Sequence, residues 1–148
     1  MVMFDDSNSN TGQITYLTNM NWYCGSSDNT DCDFTMLSRV APIEVSTLTK
    51  GAIVQFLAEA QTQPTEIETI VHSYSPAAGE FIVDINQTKL TLVEVKEQVQ
   101  TSDSVTSIPT YQVDLAAGNY ILDVLATWDT KDEYKTQSVH RFKVKIVD

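Results

Sequence analysis

With 148 residues, 42% of them hydrophobic and 20% charged, the chain has the length and balance of one globular domain, which excludes wholesale disorder. Nine Lys and Arg against twenty Asp and Glu leave a net charge of −11, which repels phosphate backbones and anionic lipid and excludes nucleic acid as a partner. No run approaches the roughly 20 consecutive apolar residues of a spanning helix, so no transmembrane segment is expected.

In chain order, residues 1–13 lack the basic-then-apolar pattern of a signal peptide. They open Met-Val-Met-Phe-Asp-Asp-Ser-Asn-Ser-Asn-Thr-Gly and read as a polar tether to a preceding leader. Residues 14–41 hold Trp22, Tyr23, Phe34 and Met36 without a steady period, and are expected as an irregular segment packed on the main domain. Cys24 and Cys32 stand eight positions apart in a loop with Gly and Ser. That spacing suits a small disulfide, whose closure is worth about 2.5 kcal/mol in the chain-entropy model; the alternative is two reduced cysteines. A disulfide favours an oxidising compartment, and two thiolates alone are too few for structural zinc.

Asp28, Asp31 and Asp33, with Asn29, form the densest acidic cluster. Hard oxygen ligands on a clamped loop suit calcium, although the order is not that of an EF-hand; the alternative is a solvated acidic loop. Trp22 and Tyr23 adjoin this loop, and neighbouring aromatics on a sheet edge suit a sugar or a partner protein. Against that stands a role for one of them in capping the core.

Residues 42–148 read as strand after strand: short β-branched runs at 43–48, 52–58, 66–73, 80–85, 89–96, 107–113, 119–128 and 134–147, with no helical stripe. Pro64, Pro76, Gly51, Gly79 and Gly118 fall between runs as turn signals. Pro109 lies inside one, so that strand is expected at an edge or beginning after the proline. The stretch 97–105 is polar and expected as a loop. The clearest alternation places Tyr120, Leu122, Val124 and Ala126 on one face, answered by Phe142, Val144 and Ile146 on the last strand, with 129–133 closing a hairpin. The fold class is all-β, an antiparallel sandwich of about seven to nine strands.

The run Leu115-Ala116-Ala117-Gly118-Asn119-Tyr120-Ile121-Leu122-Asp123-Val124 resembles the tyrosine-corner segment of immunoglobulin-like sandwiches, with Tyr120 as the structural tyrosine. It departs from the antibody pattern at Ala116, where an acidic residue would stand, and at Leu122, where the inter-sheet cysteine would stand. From residue 42 onward, the order Pro-Ile-Glu-Val, Thr-Lys-Gly-Ala-Ile-Val, Gln-Pro-Thr-Glu-Ile, Ile-Pro-Thr-Tyr, Ala-Gly-Asn-Tyr-Ile-Leu-Asp-Val-Leu-Ala-Thr-Trp and Arg-Phe-Lys-Val-Lys-Ile-Val is similar to the sandwich domains of Gram-positive bacterial surface lipoproteins. The resemblance implies an extracellular or cell-surface location and a lipid anchor on a cysteine that these residues do not include. It carries no active site.

Chemistry-bearing motifs are few. His72 and His140 are the only histidines, which excludes a three-histidine metal site, and no Gly-x-Ser-x-Gly occurs. Among twenty acids nothing singles out a glycosidase pair. Asn86-Gln87-Thr88 matches a glycosylation sequon, a pattern frequent by chance. The expectation is a non-enzymatic surface domain without a cofactor, acting in adhesion, assembly or protein-protein interaction through an unknown protein or glycan. The alternatives are a carbohydrate-binding module, with or without calcium, and a protease inhibitor, which is weakened by the missing Asn-Pro-Thr-Thr-Gly loop of chagasin-type inhibitors.

Overall fold

The computed structural model describes residues 1–5, 14–17, 21–26, 32–33, 41–58, 64–74, 88–99, 105–130 and 134–148. Among them there is no helix. The strands are β1 (Val2–Asp5), β2 (Ile14–Leu17), β3 (Asn21–Ser26), β4 (Val45–Thr49), β5 (Ile53–Leu57), β6 (Glu66–Ser73), β7 (Thr91–Val99), β8 (Val105–Gln112), β9 (Gly118–Thr130) and β10 (Tyr134–Val147). They form two sheets, β2-β1-β5-β8-β7 and β3-β10-β9-β6. Every pairing is antiparallel except one: β4 runs parallel to β10, Val45 opposite Lys143 through Thr49 opposite Val147. The same edge of β10 thus receives β3 along 135–140 and β4 along 143–147.

Strand alternation sets the core. On β9 and β10 the even-numbered Leu122, Val124, Ala126, Phe142, Val144 and Ile146 are buried, and they meet Met3, Val54, Phe56, Tyr111 and Val113 of the first sheet. The ring of Phe56 lies 5.8 Å from that of Tyr111 and 6.0 Å from that of Phe142, which spans the two layers. Burying a side chain of this size contributes roughly 1.5–3 kcal/mol. A polar tie crosses the same gap: the Tyr111 hydroxyl on β8 donates to the Ile67 carbonyl on β6 at 2.6 Å.

Several expectations need correction. Residues 1–13 are not simply a tether, because Val2–Asp5 is an interior strand of the first sheet, paired on both sides, and Met3 is fully buried. Its first four residues, Met-Val-Met-Phe, are apolar, and that outweighs the acidic and polar residues after them. Residues 14–41 likewise place β2 and β3 in different sheets. Among the described residues, β1, β2 and β3 stand before residue 27, ahead of the strands expected from residue 42 onward. Polar residues 97–105 are in part strand, since β7 runs to Val99 and β8 starts at Val105. Pro109 lies within interior strand β8, where it faces Val95 of β7. The pairing of β8 with β5 covers only 110–112, so the missing amide of Pro109 falls where β5 asks for no bond. The expected strand 80–85 lies outside the described residues.

Turn chemistry follows the sequence where it is described. Ala52 N–H donates to the Thr49 carbonyl at 3.0 Å, closing a β-turn between β4 and β5 with Gly51 at φ 82°, the left-handed region that favours glycine.

Candidate functional site

The two faces of the second sheet differ from what alternation alone predicts. The inner face packs on the core, but the outer face is also largely covered. Asp123 of β9 and Arg141 of β10 are register partners on that face, 6% and 3% exposed. The Arg141 guanidinium donates from Nε to Oδ1 at 2.6 Å and from Nη2 to Oδ2 at 2.7 Å. From β6, His72 Nε2 lies 3.3 Å from Asp123 Oδ2. From β3, the Trp22 ring covers the guanidinium, with Cζ 4.8 Å from the ring centroid. Burial pushes the Asp123 carboxyl up, but the hydrogen bonds from Arg141 and His72 and their charges outweigh it and hold the group below its ordinary range.

The disulfide fixes one flank of this face. Cys24 and Cys32 are bonded at an S–S distance of 2.02 Å, as the spacing suggested. Cys24 sits on β3 opposite Gln137, and Cys32 N–H donates to Gln137 Oε1 at 2.7 Å. Gln137 Nε2 in turn donates to Thr127 Oγ1 at 3.1 Å. The bridge therefore seats the chain beyond β3 on a buried amide whose oxygen and nitrogen are both used. Nearer the other end of the face, Tyr74 and Ala41 bury Ile121, and Lys143 Nζ lies 5.1 Å from the Tyr74 ring centroid.

The structure separates the aromatic pair that sequence adjacency put together. Trp22 and Tyr23 are consecutive on β3, so they occupy opposite faces: Trp22 stacks on Arg141 outside, and Tyr23 meets the ring of His140 edge-on at 5.9 Å on the inner side. They do not form one stacking platform. Of the expected calcium ligands, Asp33 is exposed, while Asp28 and Asp31 lie outside the described residues. Among the described residues no group of three or more His, Cys, Asp or Glu is placed to hold a metal ion. The Tyr120 hydroxyl donates to the Ala116 carbonyl at 3.0 Å, bracing the corner before β9, and a Cβ at Gly118 would stand 3.3 Å from that ring.

The cluster of Asp123, Arg141, His72 and Trp22 went unnoticed in the sequence, although a signal was present. Asp123 interrupts an apolar strand, and Arg141 stands on the strand that the hairpin returns beside it. Its charged groups bind one another beneath cover, so they organise the face and do not present a reactive group to solvent. An apolar recess between the sheets, lined by Leu48, Val71, Leu90, Val113, Leu122 and Ile146 among others, contains no polar group to orient a ligand. On the outer face Val45, 47% exposed, opens β4, with Ile43, 86% exposed, two residues before it; Tyr23, 66% exposed, lies on the inner side of β3.

In comparison with known proteins, the chain matches no family model and shows no detectable similarity to a curated protein.

Proposed function

We propose that the chain is an immunoglobulin-like sandwich domain of a secreted or lipid-anchored bacterial surface protein, acting without catalysis in adhesion, assembly or protein-protein contact. The observation that carries the fold part of this reading is strand order. β1-β5-β8-β7 against β10-β9-β6 follows the A-B-E-D and G-F-C sheets of constant-type immunoglobulin domains, with Tyr120 at the corner before the sixth strand of that series. β2, β3 and the parallel β4 are additions to that frame. The disulfide between Cys24 and Cys32 supports an oxidising compartment.

Support for the interaction role comes from Ile43 and Val45, large apolar side chains held in water beside a sheet edge. A protein surface suits them better than a glycan, because Trp22 and Tyr23 face opposite ways and Trp22 is engaged by Arg141. The test is saturable binding of the labelled domain to intact cells of the source organism, beside soluble cell-wall and plant glycans. Wild type is expected to bind the cells and I43D/V45D to bind about tenfold more weakly, a loss of the size one interface anchor carries. Equal binding by the double variant, or saturable binding to a glycan alone, would contradict this reading.

A further inference from the structure

His140 lies on the inner face of β10, on the same side as Phe142 and Val144, and is 3% exposed. Its Nε2 is 2.7 Å from Ser138 Oγ, and its Nδ1 is buried with no hydrogen-bond partner. Its described neighbours bring no counter-charge: β3 contributes the Tyr23 ring, edge-on at 5.9 Å, and β9 contributes Val124 as register partner. An imidazolium here would therefore be cut off from water with its Nδ1–H unpaired. The other histidine stands differently, with Asp123 directly in front of it.

We propose that His140 makes one end of the sandwich acid-labile: protonation of this single imidazole loosens β3 from β10, while the centre of the second sheet stays closed. The centre holds because Asp123 remains ionised on Arg141 in mild acid. Burial, the largest cause, pushes the His140 pKa down to about 4 from 6.5. A histidine that is easier to protonate in the open state favours opening as pH falls. The effect is absent above about pH 7, grows as pH drops through 6.5, and levels off below about 4. Between pH 7.5 and 4.5 the opening equilibrium is expected to rise on the order of 50-fold.

Amide hydrogen exchange on the full chain, corrected for the intrinsic pH dependence of exchange, reads this opening. The expected result is a loss of protection on the order of 50-fold in β3 between those pH values, with less than about threefold in the centre of β9. The variant H140Q keeps a hydrogen-bonding group for Ser138 without titrating, and should abolish the loss. An equal loss in H140Q, or a loss spread evenly over all strands, would overturn the proposal. Should H140Q fail to fold, NMR titration of the wild-type imidazole decides it: a midpoint near 4 upholds the device, and one at 6.5 or above overturns it.

Discussion

Arg141 grips Asp123 with two parallel hydrogen bonds of 2.6 and 2.7 Å, across neighbouring strands on the outer face of the second sheet, where both residues are almost wholly buried. Bidentate geometry of this kind is the strongest form of a protein ion pair. Its value lies less in net stability than in what happens when one partner is lost, because the survivor keeps its charge without water.

Replacing one partner alone, as in R141A or D123A, is therefore expected to cost about 3–5 kcal/mol in urea unfolding. The double replacement by apolar residues of similar volume should lie much closer to wild type. The acid dependence has a fixed sign. Because the Asp123 carboxyl is held below its unfolded value of 3.8, its contribution is present above that pH and is lost only as pH falls through the lower folded value. Wild-type stability at pH 4.5 should retain this contribution, and D123N should show a shallower loss at lower pH.

The tie from Tyr111 to Ile67 joins the two layers. Tyr111→Phe removes the donor and leaves the Ile67 carbonyl without it, for an expected loss of about 1–2 kcal/mol. Burial first, and the charges of Glu68 and Glu66 after it, push the Tyr111 hydroxyl up to about 12. A group whose folded pKa is raised stabilises fully below its unfolded value and loses that contribution as pH rises through the folded one. Wild type is thus expected to weaken between pH 10 and 12 in thermal unfolding, and Y111F to weaken less over the same range.

At the turn into β5, Gly51→Ala meets no neighbour within 4 Å, so its whole effect is backbone strain at φ 82°. The expected cost is about 1–2 kcal/mol. Gly118→Ala differs in kind, since the new Cβ presses on the Tyr120 ring at 3.3 Å. The two are distinguished by combining each with Tyr120→Ala, which removes the ring. The Gly51 effect should add to it, and the Gly118 effect should overlap with it.

Reduction of the disulfide, or C24S/C32S, is expected to lower stability by about 2.5 kcal/mol through the freed loop. Displacement of the Cys32 amide once the bridge is open would also leave the buried Gln137 oxygen without that donor. A larger loss in the double variant than in C24S/C32S/Q137L would identify that second contribution in urea unfolding.

How much of this was legible in the sequence depends on the kind of signal. The hairpin of β9 and β10 was clear because a strict two-residue alternation survives over a dozen positions, and Gly118 and Gly51 marked the turns. The strands before residue 27 were not, because Val2–Asp5 offers only four residues and its neighbours are polar. Pairing on both sides, not local preference, makes it a strand. The cover over Asp123 and Arg141 comes from segments remote in sequence, Trp22 among them, which alternation does not register. Trp22 and Tyr23 looked like a pair for the opposite reason. Adjacency in sequence means opposite faces once the segment is a strand.

The account rests on the strand order, and cross-strand nuclear Overhauser contacts test it most directly. Expected are backbone contacts of a parallel pair between Val45–Thr49 and residues 143–147, with contacts from Val2–Asp5 to both Ile53–Leu57 and Ile14–Leu17. An antiparallel pattern between β4 and β10 would contradict the parallel pairing, and a first strand that contacts neither neighbour would contradict the strand order behind the proposed immunoglobulin-like reading and surface role.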